Sequence, residues 1–189
     1  GRVLPHDILA EQALLGACIL EAGQDTLSRC IEAHLTPDSF FKPAHQVIYA
    51  ALLELYEQKI PIDEITLGNR LREKGFFEEI GGYAGLNELT AFIETTSHAQ
   101  YYLQIVRDKY LLRRLIRSSL NTIERCYAQQ ETLEQFLEQV EQEVFRISED
   151  RINEAAQHIK DSVDQAVQVI YQLAEQKRNT FGVLSGFKD

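Results

Sequence analysis

An all-α fold is predicted: a compact helical globule, then a long antiparallel helical hairpin, then a separate linker helix. Three observations predict it. Up to about Ile93, short apolar segments recur at helical spacing, each bounded by Pro, Gly or a capping side chain. No Pro or Gly occurs between Gly85 and Gly182, so nothing there interrupts a long helix. Beyond Ser97 the apolar residues fall into stripes at i, i+3, i+4 and i+7. The expected organisation is a globule over residues 1–96, a hairpin over 97–149 and a linker region over 150–189.

Each element follows from local signals. Pro5 and Asp7 start a helix carrying Ile8, Leu15, Cys18 and Ile19, with Gly23 as its stop. Asp25 can cap a second, with Leu27 and Ile31 inward. Thr36-Pro37 is a cap followed by proline at the first helical position. After Pro43, Ala44, Val47, Ile48, Ala51, Leu52 and Leu55 repeat at helical spacing. Asp63, after the break at Pro61, caps a helix holding Ile65 and Leu71, which Gly75 ends. Ile80-Gly81-Gly82 turns into a helix with Leu86, Leu89 and Ile93.

From Ser97 onward the helices lengthen. The first runs over about 98–127, with Ile105, Leu112, Ile116, Ser119 and Ile123 in one stripe beside Leu115 and Leu120. At 1.5 Å per residue it is about 45 Å long. The second runs over about 132–148, with Leu133, Phe136, Leu137, Val140, Val144 and Ile147. The few polar residues around Ala128-Gln129-Gln130-Glu131 between them imply antiparallel neighbours. A globule of this size cannot cover both arms, so part of the hairpin is expected to protrude. Residues 149–157 are polar and are read as a break. A further amphipathic helix, over about 159–177, carries Ile159, Val163, Ala166, Val167, Ile170 and Leu173, an apolar face with nothing later to cover it.

The chain has 189 residues and a formal net charge of −10. No apolar run reaches the roughly 18 residues of a membrane span, and no signal peptide opens the chain. Its acidity gives no global attraction to phosphate. Cys18, Cys30 and Cys126 are too scattered for a disulfide framework or a zinc site, which suits a reducing cytoplasm. There is no Met, and the sequence opens Gly1-Arg2-Val3; it reads as a piece of a longer protein.

Charge divides the hairpin arms. Arg107, Lys109, Arg113, Arg114, Arg117 and Arg125 face only Asp108 and Glu124 on the first. On the second, Glu131, Glu134, Glu138, Glu141, Glu143, Glu149 and Asp150 face only Arg146. Complementary arms explain this better than a nucleic-acid surface, because the acidic arm would repel phosphate. No phosphate loop, dinucleotide fingerprint or nucleophile elbow is present. His6, His34, His45, His98 and His158 lack partners at metal-ligand spacing, and a capping or packing role suffices for His45. No catalytic, cofactor or metal site is expected.

Taken in order, Pro5-His6-Asp7, Ala10-Glu11-Gln12, Leu15-Gly16, Phe40-Phe41, His45-Gln46-Val47-Ile48, Pro61-Ile62-Asp63 and Ile80-Gly81-Gly82 resemble the opening of bacterial replicative DNA helicases of the DnaB type. The ending, with Gly182, Gly186, Phe187 and Asp189, is similar to that family's approach to its RecA-like motor domain, with Ser185 where threonine is usual. The resemblance implies an N-terminal collar of hairpin dimers, a trimer of dimers above a hexameric motor ring. It also implies a linker helix that docks on the neighbouring subunit's motor. The implied partners are further copies of the chain, a DnaG-type primase, a helicase loader and, through the motor, DNA. ATP and Mg would belong to the motor, which this sequence lacks. The implied setting is the bacterial cytoplasm at replication forks, without a membrane. Tyr110, Leu111 and Phe145 lie beside the stripes and are the expected hairpin self-association or primase contacts. The linker-helix docking face is Ile159, Val163, Ala166, Val167, Ile170 and Leu173. A stand-alone adaptor or loader-binding protein, and a DNA-binding regulator using residues 107–125, are the competing readings.

Overall fold

The computed structural model describes residues 3–20, 23–93, 96–128 and 132–180. All regular structure among them is helical: α1 (Ile8–Ile19), α2 (Gly23–Glu32), a 3-10 turn at Pro37–Ser39, α3 (Pro43–Glu57), α4 (Glu64–Glu73), α5 (Gly82–Ala91), α6 (Ala99–Ala128) and α7 (Leu133–Thr180). The chain forms two compact units, one ending at Glu131 and one beginning at Thr132.

The N-terminal unit is built around α1, which packs against α2, α3, α5 and α6. Its Ala13, Leu14, Leu15 and Cys18 are fully enclosed, so α1 is apolar nearly all round, as a central helix must be. Leu27, Phe40, Tyr49, Leu52, Leu67, Leu71 and Leu86 complete the core. Gly16 sits where α1 meets the backbone of α5 at Leu89.

α1 and α4 start at the expected caps, whereas Asp25 lies inside the first turn of α2. The Asp7 carboxylate accepts from Ala10 N–H at 3.0 Å. Asp63 accepts from Ile65 and Thr66 N–H at 2.9 and 2.7 Å, while Thr66 Oγ1 accepts from Asp63 N–H at 3.0 Å, a reciprocal capping box. Thr36-Pro37 opens only a 3-10 turn. Gly23 begins α2 instead of stopping α1, which ends at Leu20 in an extended conformation.

Helix ends were less predictable. α2, α3 and α4 all finish in a residue of positive φ, namely His34 (56°), Lys59 (56°) and Gly75 (80°). Each is followed by the same reverse pair of backbone bonds: His34 N–H to Ile31 and Leu35 to Cys30, Lys59 to Tyr56 and Ile60 to Leu55, Gly75 to Arg72 and Phe76 to Leu71. These satisfy carbonyls that the helix itself leaves open. His34 is therefore a helix-end residue.

α3 and α4 are also tied at the surface. Glu54 accepts from Arg70 at 3.0 Å and pairs with Lys74. The Lys74 hydrogen bond, foremost, and Arg70 hold the Glu54 carboxyl below its usual value, against a smaller opposing effect of partial burial. A lowered carboxylate contributes stability above its unfolded pKa and loses it as pH falls through the folded one. Glu54 is a third exposed, so solvent keeps the effect small. Glu54→Gln should cost under about 1 kcal/mol at neutral pH. The deficit should shrink below about pH 4.5. Urea midpoints at pH 7 and pH 3 check this, and an equal deficit at both would contradict it.

The expected break over residues 149–157 is absent: α7 is one helix of 48 residues. The linker helix is therefore its C-terminal part, not a separate element. The polar stretch lacks an apolar stripe, but it contains no Pro or Gly, and its Glu, Arg, Ala and Gln are good helix formers. A helix can thus lose its amphipathicity without ending. The approach to a further domain expected over 180–189, and the connection around 129–131, lie almost wholly outside the described residues.

Candidate assembly surfaces

α6 changes character along its length. Ala99, Leu103, Val106, Arg107 and Arg113 are buried, at spacings that keep one side on the globule. Beyond Arg113 no described α6 side chain is buried. The expected stripe divides accordingly. Ile105 packs against the core, while Leu112, Leu115, Leu120 and Ile123 are 42–56% exposed. Such a row is unusual on a lone soluble helix.

Tyr110 and Leu111 lie where α6 leaves the globule, and both are half-buried. The Tyr110 ring has the Arg113 and Arg114 guanidinium groups 5.7 and 5.9 Å from its centre, within cation–π range. Phe145, the third expected contact, is on α7 in the other unit and is 60% exposed.

α7 carries two apolar stripes. Leu133, Leu137 and Val144 are exposed in its first third. Ile159, Val163, Ala166, Val167, Ile170 and Leu173, the expected docking face, are all exposed in its C-terminal part. Twelve positions separate Ile147 from Ile159. At about 100° per residue that is three turns and a further third of a turn. One continuous helix therefore centres its two stripes in different directions, with some overlap at their edges.

A buried polar cluster, not foreseen from sequence, joins α1, α3 and α6. Glu11 is 1% exposed, His45 2% and Arg113 2%. The Glu11 carboxylate accepts from Phe41 N–H at 2.7 Å, Lys42 N–H at 3.4 Å and His45 Nδ1 at 2.7 Å. It thereby caps α3, whose N-cap Lys42 makes no side-chain cap of its own. Arg113 donates to Pro5 O at 2.9 Å and Ser39 O at 2.6 Å. Burial pushes its guanidinium below the usual value, and the charge of Glu11 opposes this. The His6 ring stacks on Phe41 with centroids 4.2 Å apart. His45 is thus a packing and hydrogen-bonding residue. The signal in the sequence was a charged residue, Glu11, inside a mostly apolar helix.

Two of the six basic residues on α6, Arg107 and Arg113, are buried, which leaves four for a nucleic-acid face there and weakens that reading. Cys18 and Cys30 are buried free thiols, and Cys126 is exposed. Among the described residues, no group of three or more His, Cys, Asp or Glu could hold a metal, and no helix is long and apolar enough to cross a membrane.

Comparison with known proteins gives a consistent result. The family model for the DnaB-like helicase N terminal domain matches residues 3–108. The replicative DNA helicase DnaC of Bacillus subtilis (strain 168) is 33% identical over 188 residues, covering 100% of this chain and 41% of that protein. The replicative DNA helicase DnaB of Pasteurella multocida (strain Pm70) is 36% identical over 193 residues, covering 99% and 40%. The chain thus spans about two fifths of the length of these curated relatives. Among solved structures, the N-terminal domain of DnaB helicase from Mycobacterium tuberculosis superposes with a TM-score of 0.69 at 32% identity, covering 77% of this chain and 99% of that one. A DnaB-like replicative helicase, solved for its structure and its interactions with primase, superposes with a TM-score of 0.63 at 21% identity, covering 97% and 36%; this second likeness speaks to the fold.

Proposed function

The chain belongs to the DnaB-like helicase N-terminal domain family, and from that premise we propose that it is the collar and linker region of a hexameric replicative helicase. The motor would lie beyond it in the full-length protein. There ATP and Mg would be bound and DNA unwound. The part described here assembles subunits and receives partners.

The observation that carries this reading is the row of exposed apolar side chains on α6 beyond Arg113, with a matching row on the first third of α7. Each costs free energy in water, about 25 cal/mol for every Å² left uncovered. We read α6 and α7 as the arms of a hairpin whose remaining apolar surface is covered by a second copy, the dimers joining three at a time into a collar. We assign Tyr110 and Leu111 of the one unit, and Phe145 of the other, to contact with the second hairpin or with a DnaG-type primase. The DnaB-like helicase that shares the fold is described with its interactions with primase, and we propose the same class of partner here. A helicase loader is the further partner of the full-length protein, which would act in the bacterial cytoplasm at the replication fork.

The second stripe of α7 is centred in a different direction. We assign Ile159, Val163, Ala166, Val167, Ile170 and Leu173 to docking on the motor of the neighbouring subunit. In the full-length protein, Val163→Asp or Ile170→Asp should weaken hexamer assembly while the globule stays folded. Native mass spectrometry of the purified variants reads this directly, and an intact hexamer at wild-type dissociation concentration would refute the assignment.

Leu111→Asp together with Phe145→Asp tests the collar contact. Phe145 is mostly exposed, so its change costs the fold little. The sedimenting mass of the chain should fall toward that of a monomer while the helical signal is retained. A wild-type chain that is monomeric at high micromolar concentration would sink the self-association reading.

A further inference from the structure

Arg113 is the last buried side chain of α6, and the helix runs on for fifteen residues to Ala128. At 1.5 Å per residue, about 22 Å of helix follows the last anchored position. At this exit the guanidinium holds two separate pieces of the globule through backbone carbonyls: Pro5 O, ahead of α1, and Ser39 O, in the 3-10 turn. It also lies 5.8 Å from the centre of the Phe41 ring and 5.7 Å from that of Tyr110. Glu11, whose charge favours the protonated guanidinium, fixes the Phe41–Lys42 backbone and His45 in turn.

Space filling does not require an ion here. Buried charged networks are often no more stable than apolar residues of the same volume, and their best-attested use is to select one arrangement. Apolar contacts are non-directional. A methionine in place of Arg113 would fill much of the site, yet it would not distinguish slightly rotated placements of α6. Two carbonyls in fixed positions do distinguish them, because a planar guanidinium meets both in one orientation only.

We propose that Arg113 is a positioning residue that sets the direction in which the outer half of α6 leaves the globule, with Glu11 and His45 holding the segments it grips. Its importance for assembly rests on the reading of α6 as a collar arm. The geometry acts as a lever: a 10° turn at Arg113 displaces Cys126 by about 3 Å. A closed collar requires every arm to arrive in the same direction.

The test uses the full chain, spin-labelled at Cys126, which is exposed, and at an introduced cysteine in Ile65→Cys, on the exposed side of α4. Cys18 and Cys30 are buried away from the label. Labelled chains are diluted into unlabelled ones, and the distance distribution within a chain is measured by pulsed EPR. Arg113→Met should shift or broaden the distribution by about 3 Å or more, with the amides of α3 protected as in the wild type. Arg113→Lys keeps the charge but cannot span both carbonyls, and should give an intermediate distribution. A folded Arg113→Met chain with the wild-type distribution overturns the proposal. If the methionine variant does not fold, Arg113→Lys decides: a shifted distribution supports the proposal and an unchanged one overturns it. The distance is internal to one chain, so a monomeric wild type would defeat the assembly reading without touching this one.

Discussion

Glu11→Ala is expected to lower the free energy of unfolding by about 3–5 kcal/mol. The substitution deletes the acceptor for Phe41 N–H, which is part-buried, and for His45 Nδ1, which is enclosed. It also removes the negative charge that offsets Arg113, itself 2% exposed. An unpaired buried ion is the costliest of these losses. Domains of this size are stable by only about 5–15 kcal/mol in total, so the variant should sit near the edge of folding. Glu11→Gln keeps the shape and one acceptor oxygen, and should cost distinctly less. Urea midpoints of the two variants check this, and a midpoint for Glu11→Ala equal to that of the wild type would show that the cluster is not a keystone of the fold.

Gly16→Ala should cost about 3 kcal/mol, although helix propensity alone points the other way. Alanine in mid-helix is favoured over glycine by about 1 kcal/mol. Here a Cβ would be driven into the backbone carbonyl of Leu89, closer than real Cβ atoms come. A backbone carbonyl in a packed helix cannot rotate aside as a side chain can, so α5 must move off α1 and unpack Leu86 and Leu89 from the core. Overpacking of this kind costs about 1–3 kcal/mol, occasionally more, and rigid backbone places the site at the upper end. A thermal melt of the variant above that of the wild type would mean that the two helices separate at little cost.

The two sites lie on one helix and support the same conclusion about the architecture. α1 joins the globule to α6 and supplies, through Glu11, the charge that accompanies Arg113 at the exit of the arm. Damage to α1 should therefore disturb assembly as well as stability, even though no α1 side chain is part of the proposed contact edge.

Much of the fold was legible in the sequence because helix starts are local events. Asp7 and Asp63 reach backbone amides two or three residues away, and Gly75 takes the conformation that suits glycine. Apolar periodicity likewise marked the cores of α3 and α6, and the order of short motifs marked the family. Other features depended on contacts between residues far apart. His34 and Lys59 end helices as Gly75 does, because packing of Leu35 and Ile60 draws the chain back across the helix end. The continuity of α7 is not visible in an apolar stripe, because a helix requires only backbone bonds and tolerant residues. Arg107 and Arg113 counted as surface charges in the sequence, where nothing separates them from Arg114 and Arg117. Only the tertiary structure encloses them, since Glu11, Phe41, His45 and Arg113 are brought together by chain closures of 30 residues and more. Sequence by itself determined where α1, α3, α4 and α5 begin, which family they belong to and which positions are apolar. Tertiary structure decided which of those apolar positions are buried in the globule and which stay exposed, because burial depends on what packs across from a residue and not on what lies next along the chain.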